Sequence, residues 1–323
     1  MIVVTGGAGF IGSAVVWELN QNGEDDILIV DALHHEEQWQ NLSGLRYKDF
    51  MKADSFLEKI VNQNIKNIDA IIHLGAITST VEKDFSKLIE DNFLYSKTVI
   101  SYAIDNGIRM IYASSAATYG MGERGFSDKD SEIDDLRPLN GYGYSKQMVD
   151  QWLLRHNLMD KVVGLKYFNV YGPNESHKGN MRSMVHKAVS KIMSEGKLQL
   201  FKSHRDDFKD GEQMRDFIYV KDAVKMTLHF LKKPQLSGLF NIGTGEANTW
   251  NSLAEAVFEA CEKPVSIEYV DMPSNIRDQY QYFTQADIDK IMNTGYKEPL
   301  IPFKSAIRDY VQNYILKDKY LGS

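Results

Sequence analysis

Short continuous apolar runs alternate with segments of helical period along the first half of the chain. The strand-like runs are MIVVTG, DILIVDAL, DAIIHLGA, MIYASSAATYG and VVGLKYFNVYGP; between them lie SAVVWELNQNG, DSFLEKIVNQN, LIEDNFLYSKTVISYAIDNG and YSKQMVDQWLLRH. Apolar strands separated by helices predict a parallel sheet covered on both faces, a doubly wound α/β architecture. Beyond Pro173 the alternation weakens into a helix over 181–194, the polar stretch SHRDDFKDGEQMRD, the strand GLFNIGTG and a helix-rich tail. This predicts a second, smaller lobe, with an approximate division into 1–172 and 173–323. No Pro/Gly/Ser-rich linker or repeat separates the two, so the lobes are expected to share an interface, with segments that can interleave.

Of the 323 residues, 43% are hydrophobic and 25% charged, a mixture that can bury a sizeable core. The net charge of −7 excludes a broad basic face for nucleic acid or an anionic membrane, but leaves room for a small anion held by a few local cations. Cys261, the one cysteine, sits in the amphipathic stretch NSLAEAVFEACEK and is expected to be a buried small hydrophobe. No apolar run approaches the ~18 residues of a spanning helix and the start has no signal-peptide shape, so a cytoplasmic location is expected. His34 and His35 stand beside Glu36 and Glu37 in ALHHEEQ, but successive loop residues rarely converge on one ion, and no metal is expected. Trp17, Trp39, Trp152 and Trp250 are expected to pack, and DKDSEIDD to be a solvated loop.

TGGAGFIG places Gly6, Gly9 and Gly12 directly after a strand and before an amphipathic helix. Small residues there let the backbone approach a pyrophosphate at a helix N-terminus, where free N–H groups and the helix dipole favour negative charge. About 20 residues on, DILIVD ends in Asp31, a carboxylate able to accept from a ribose hydroxyl. Together they predict a Rossmann-type dinucleotide-binding unit over 1–172.

NGYGYSK presents two tyrosines before one lysine. Residues four apart share a helix face, so Tyr142 pairs with Lys146 and Tyr144 points elsewhere. A nearby ammonium favours phenolate, which makes a tyrosine usable as a base near neutral pH. Ser114 or Ser115, at the end of the preceding strand, is placed to hydrogen-bond the same reacting oxygen. Tyr-x-x-x-Lys alone also describes a solvated helix pair; the glycine fingerprint favours the chemical reading.

TGGAGFIG, DILIVD, HLGA, YASSAATYG, YGYSK and KYFNVYGP together resemble the extended short-chain dehydrogenase/reductase family, also described as the NAD-dependent epimerase/dehydratase family, over nearly the whole chain. The resemblance implies Tyr142 as acid/base, Lys146 holding the nicotinamide ribose and tuning Tyr142, and Ser115 orienting the substrate oxygen. It also implies a cofactor, NAD or NADP, held by Gly6, Gly9, Phe10, Ile11, Gly12, Asp31, Ala32, Leu74, Gly75, Ala76, Asn92, Lys146, Val170 and Lys178.

YFNVYGPNESHKGNM, GEQMRDFIYVKDAV and QYQYFTQADI look like the subfamily of ADP-glyceromanno-heptose 6-epimerases, which supply the heptose of bacterial lipopolysaccharide. SHKGNM resembles that subfamily's segment bearing a second acid/base and implies the role for Lys178; the alternative is a diphosphate contact. The substrate is then an ADP-heptose, and Asn169, Asn180, Phe201, Arg215 and Tyr280 match nucleotide-sugar positions. Arg215 is the natural diphosphate partner, unless it pairs with Asp216 or Asp222. The chemistry explains two bases. A carbinol C–H is not acidic, so inversion at C6 runs through a ketone that rotates, and the oxygen sits differently in the two half-reactions.

The rivals are a UDP-hexose 4-epimerase, a 4,6-dehydratase and a nucleotide sensor without turnover. Ala116 and Ala117 follow Ser115 where a dehydratase needs an acid pair, and a sensor has no use for Tyr142, Lys146 and Ser115. Subfamily members use NADP; Ala32, Gln38 and Ala53, with Glu36 and Glu37 nearby, deplete the cations a 2′-phosphate needs, so NAD is expected to bind at least as well. Arg46, Lys48 and Lys52 are the cations that would compensate. A homo-oligomer is expected.

Overall fold

The computed structural model describes residues 1–33, 36–277 and 280–323, so His34 and His35 lie outside the described residues. Among the described residues twelve strands occur: β1 (Ile2–Thr5), β2 (Ile27–Asp31), β3 (Asp49–Lys52), β4 (Ala70–His73), β5 (Arg109–Ser115), β6 (Val163–Tyr167), β7 (Asn169–Tyr171), β8 (Leu198–Phe201), β9 (Met214–Tyr219), β10 (Gly238–Ile242), β11 (Ala247–Thr249) and β12 (Ile267–Val270). The seven-stranded central sheet has the order β10-β6-β5-β4-β1-β2-β3 and is parallel throughout.

Helices cover both faces, as the apolar runs require. On one, Val4, Ile29, Ile72 and Ile111 pack with Ala14 and Val15 of α1 (Phe10–Gln21); on the other, Val3, Leu28, Val30 and Ile71 pack with Phe56 and Ile60 of α2 (Ala53–Val61). The alternation of odd and even positions along each strand is the period-2 rule acting on a sheet buried on both sides. The predicted 88–107 helix is three pieces: α3 (Phe85–Leu88), a π-helical turn Ile89–Leu94 and α4 (Tyr95–Asp105). Then follow α5 (Gly141–Arg155), α6 (Met184–Glu195), α7 (Val220–Leu231) and α8 (Trp250–Ala260).

The chain crosses from β1 to β2 and β3 on one side, then returns to β4, β5 and β6 on the other. The strand order therefore reverses between β1 and β4, and the crevice beyond their carboxyl ends is the ligand position of such sheets. Two smaller sheets, β11-β9-β7 and β12-β8, build the region beside it.

The strand GLFNIGTG, expected in the smaller lobe, instead forms β10 of the central sheet and pairs with β6 from Gly238↔Val163 to Ile242↔Tyr167. β10 is buried along its whole length and covers what would otherwise be an open edge on β6. The DKDSEIDD segment also differs from a solvated loop: Asp128 is buried and accepts the Asn241 N–H at 2.9 Å, while Asp130 accepts the Leu239 N–H at 3.2 Å, so its carboxylates fasten it to β10. Cys261 is buried at the end of α8, and Trp39, expected to pack, is 62% exposed. Among the described residues no helix is long and apolar enough to cross a membrane, and no three His, Cys, Asp or Glu converge as metal donors.

Candidate active site

The loop after β1 is shaped by backbone demands that only glycine meets. Gly6 has φ +66°, and a Cβ there would lie 2.7 Å from the Gly75 nitrogen; a Cβ on Gly12 would lie 2.0 Å from the Gly6 carbonyl oxygen. The loop, the start of α1 and the turn after β4 thus press together at the strand-order reversal. Gly9 precedes α1, whose first turn has no side-chain cap and no acidic residue, so its N–H groups are free to meet an anion. Phe10 and Gly12 are buried and Ile11 half-buried in that first turn; half-buried Leu74, Gly75 and Ala76 form the facing wall.

Asp31 ends β2 against this loop. Its carboxylate accepts the Ala8 N–H at 2.9 Å and the Leu33 N–H at 3.0 Å, which fixes it at the crevice rim, and Ala32 beside it is exposed. Asn92 is fully buried in the π-helical turn and is spent on structure. It accepts the Ile77 N–H at 2.7 Å and donates to the Ile77 carbonyl and the Ser145 hydroxyl, both at 2.9 Å. It therefore holds the wall after β4 to α5. The glycine cradle, the uncapped helix start and the rim carboxylate fit a nicotinamide dinucleotide.

Tyr142 and Lys146 lie one turn apart on α5, whose start is set by Asn140 accepting the Gly143 N–H at 2.8 Å. Tyr144 is 45% exposed and stacks on Phe85, as the helical register predicts. Ser114 and Ser115 are resolved by strand alternation: Ser114 donates to Asp150 at 2.7 Å on the buried side, and Ser115 faces Tyr142, whose phenol pKa its hydroxyl lowers. Ser115 Oγ accepts the Ala117 N–H at 3.1 Å, which leaves its own O–H available on the Tyr142 side.

The expected lowering of the Tyr142 pKa is corrected. Burial raises it above the usual tyrosine value, and the Ser115 hydrogen bond opposes this only in part. Lys146, 3% exposed, donates to the Ala113 carbonyl at 3.0 Å, and burial lowers its pKa to about 8 against the pull of Asp150. Desolvation, which sequence spacing does not report, is the largest cause of both shifts, and Lys146 is not among the groups that move Tyr142.

Lys178 stands on the 3-10 turn Ser176–Met181, half-buried, with Nζ 5.3 Å from the centroid of Phe10 in the first turn of α1. The turn therefore brings it to the cofactor crevice. Burial lowers its pKa, Glu175 raises it and Lys187 lowers it. Val170 is half-buried on β7; Asn169 on the same strand and Asn180 on the Lys178 turn are exposed.

Arg215 on β9 is 6% exposed, and among the described residues no ion pair with Asp216 or Asp222 holds it. Its guanidinium donates to the Met214 carbonyl at 2.8 Å and to the Gln281 carbonyl, with its carbon 5.3 Å from the Tyr280 ring and 5.9 Å from that of Trp250. Asp216 is occupied elsewhere, accepting from Thr244, Gly245 and Ala286. Phe201, at the end of β8, meets Tyr280 edge to face at 6.3 Å, so Arg215, Phe201 and Tyr280 form one cluster.

Sequence reasoning missed two buried carboxylates. Asp150 accepts from Tyr112 and Ser114 and pairs with Lys166 at 3.2 Å, while Glu175 lies under the Lys178 turn, 1% exposed. An acid four residues after Lys146 was the available signal for Asp150; none existed for Glu175.

The family model described as NAD dependent epimerase/dehydratase family matches residues 2–243. A relative from Nitratidesulfovibrio vulgaris named ADP-L-glycero-D-manno-heptose-6-epimerase is 47% identical over 316 residues, covering 98% of each chain. The crystal structure of the Helicobacter pylori enzyme of that name superposes with a TM-score of 0.81 at 26% identity, over 97% of this chain and 95% of that one. A UDP-N-acetylglucosamine 4-epimerase from Methanobrevibacter ruminantium gives 0.82, also at 26% identity, over 98% of both chains. With the crevice between β1 and β4, the paired Tyr142 and Lys146 and a family match over most of its length, the chain belongs to the NAD dependent epimerase/dehydratase family.

Proposed function

We propose that this protein is an isomerase that inverts C6 of ADP-D-glycero-β-D-manno-heptose. The observation that carries the reading is Lys178: a half-buried lysine on the turn Ser176–Met181, lying over Phe10 at the mouth of the cofactor crevice. The fold alone does not select this substrate, since a 4-epimerase superposes equally well. Relatives named as 6-epimerases match with near-complete coverage at 45–47% identity.

Gly6, Gly9, Gly12 and the α1 N-terminus would hold the pyrophosphate of the dinucleotide, Asp31 its ribose hydroxyls, and Lys146 the nicotinamide ribose. The chemistry supplied by the bound group is reversible hydride transfer at C6. Tyr142 Oη moves the O6 proton in one half-reaction and Lys178 Nζ moves it in the other, after the 6-ketone has turned over in the site. Burial favours the phenol form of Tyr142, so as acid it is ready, and as base it relies on the Ser115 hydroxyl, which lowers its pKa. Lowering of the Lys178 pKa by burial brings its amine toward the range in which it both accepts and donates.

Arg215, with two N–H groups held by carbonyls, would present its remaining donors to the diphosphate, and Tyr280 and Phe201 would flank the nucleotide. The cofactor is proposed to be NAD at least as readily as NADP, because Ala32 offers no donor beside Asp31 and Glu36 and Glu37 are exposed nearby.

The test is incubation with ADP-D-glycero-β-D-manno-heptose and, separately, with UDP-galactose, followed by NMR of the products. Inversion at C6 is expected. Inversion at C4 of the hexose with the heptose untouched would replace this reading by that of a 4-epimerase.

A further inference from the structure

We propose that Glu175 is the positioning residue for Lys178: its carboxylate closes the base of the turn that carries the lysine and ties that turn to the C-terminal helix Phe303–Asn313 through Tyr310. This rests on the reading of Lys178 as the second acid/base.

No side chain of the turn Ser176–Met181 is fully buried, and Met181, its one apolar side chain, is only half-buried, so a packed apolar core does not fix it. Gly179 within it has φ 53° and ψ −122°, a kink that propensity does not stabilise either. Polar contacts remain: His177 meets Asn41 at 3.1 Å, Ser176 meets His186 at 3.5 Å and the Gly179 carbonyl accepts from Arg182 at 2.8 Å, while the largest set converges on one group at the base of the turn. Glu175 accepts the Ser183 N–H at 2.6 Å and the Ser183 hydroxyl at 2.5 Å, beyond the far end of the turn. It accepts the Tyr310 hydroxyl at 2.9 Å and, more loosely, the Gly172 N–H at 3.5 Å. Its own carbonyl accepts the Lys178 N–H at 3.0 Å. The chain on both sides of Lys178 is thereby drawn onto a single carboxylate, 1% exposed.

Every partner of that carboxylate is a donor, so the acceptor-only, ionised form suits the site. The charged and titratable groups facing it are Lys178 on the turn, Lys187 on α6 and Tyr310 on the C-terminal helix. Lys178 faces Glu175, Lys187 and the ring of Phe10. Burial disfavours both charges, and each stabilises the other. Removing the anion should therefore make Lys178 lose its proton at lower pH and leave its turn free to open. A carboxylate that merely capped the start of α6 through Ser183 would do neither.

The experiment compares wild type, E175Q and K178M as cofactor-loaded protein. Competitive acetylation read by mass spectrometry gives the titration midpoint of Lys178 itself, independent of turnover. E175Q should move that midpoint down by about one pH unit and lower kcat about tenfold with KM within about twofold. An unchanged midpoint and kcat, with only a lower Tm, would reduce Glu175 to a structural cap and overturn the proposal. If K178M keeps its kcat, the acid/base reading of Lys178 fails, while the acetylation midpoint still decides whether Glu175 controls it. Should E175Q not fold, Y310F keeps the charge and removes one donor. Amides 176–183 should then exchange with solvent about tenfold faster, the loss of one charge-assisted hydrogen bond, and unaltered exchange would overturn the clasp.

Discussion

Ser114 and Ser115 end the same strand with opposite duties: Ser114 donates to the buried Asp150 at 2.7 Å, and Ser115 meets the phenol of Tyr142. Ser115→Ala is therefore expected to lower kcat by about 10²-fold or more with little change in Tm, since it removes a donor at the reacting oxygen. Ser114→Ala should cost stability, about 1.5–3 kcal/mol, because it strips a donor from a buried carboxylate, while leaving kcat within a few-fold. Chemical denaturation and steady-state rates on the two variants check this, and a reversed pattern would mean the serine roles are exchanged.

The same register argument separates the tyrosines. Tyr142→Phe removes the acid/base hydroxyl and little volume, so turnover should fall by at least about 10²-fold while the cofactor stays bound. Tyr144, exposed and stacked on Phe85, should tolerate Phe with activity nearly unchanged. Loss of activity in Tyr144→Phe alone would show that the helix presents the other tyrosine to the substrate.

Much of this site was legible because it is local. Glycine spacing, an acid about 20 residues on and a tyrosine four residues before a lysine all follow from geometry within one βαβ unit or one helix. What escaped is set by distant partners. β10 joins the central sheet by pairing with β6 across more than 70 residues of sequence, so its short run with Asn241 read as peripheral. Asp150, Lys166 and Glu175 are charged residues whose burial is possible only beside partners that the fold supplies. The direction of the Tyr142 shift escapes the sequence for a related reason: spacing reveals a lysine one turn away, while burial, which sets the shift, depends on the whole packed surround.

His73 predicts an acid limb of stability. It is buried, bonded to Thr5 at 2.6 Å and Ser96 at 2.9 Å, and burial, helped by Lys146, lowers its pKa from 6.5 to about 3. Because the folded pKa lies below the unfolded one, the unfolded chain binds the proton first. The contribution to stability is full above about pH 6.5 and is lost as pH falls towards 3, at up to about 1.4 kcal/mol per pH unit. His186, lowered to about 4, adds a second, narrower loss. Urea unfolding from pH 7 to 4 should show a slope about one proton smaller in His73→Gln than in wild type; equal slopes would mean that His73 is protonated in the fold.

The cofactor prediction follows from where three cations lie. Lys48 donates to Asp26 at 2.7 Å, and Arg46 donates to the Asn20 carbonyl at 3.0 Å, both at the amino end of β2. Asp31 is at the carboxyl end of that strand, on the order of 15 Å away at about 3.3 Å per residue, so neither cation serves a phosphate at the ribose. Lys52 is different: it is the register partner of Asp31 on β3 and is exposed. Gln38, the amide nearest in sequence to the rim, is buried, and Ala32 and Ala53 offer no donor. Among the described residues, a 2′-phosphate beside Asp31 would thus meet one carboxylate and one flexible ammonium, a near balance in which NAD should bind at least as well as NADP. Lys52→Ala should then weaken NADP further and leave NAD within about twofold. Titrating nucleotide-free protein by calorimetry measures both: a wild-type preference for NADP beyond about tenfold, roughly 1.4 kcal/mol, would mean that Lys52 outweighs Asp31.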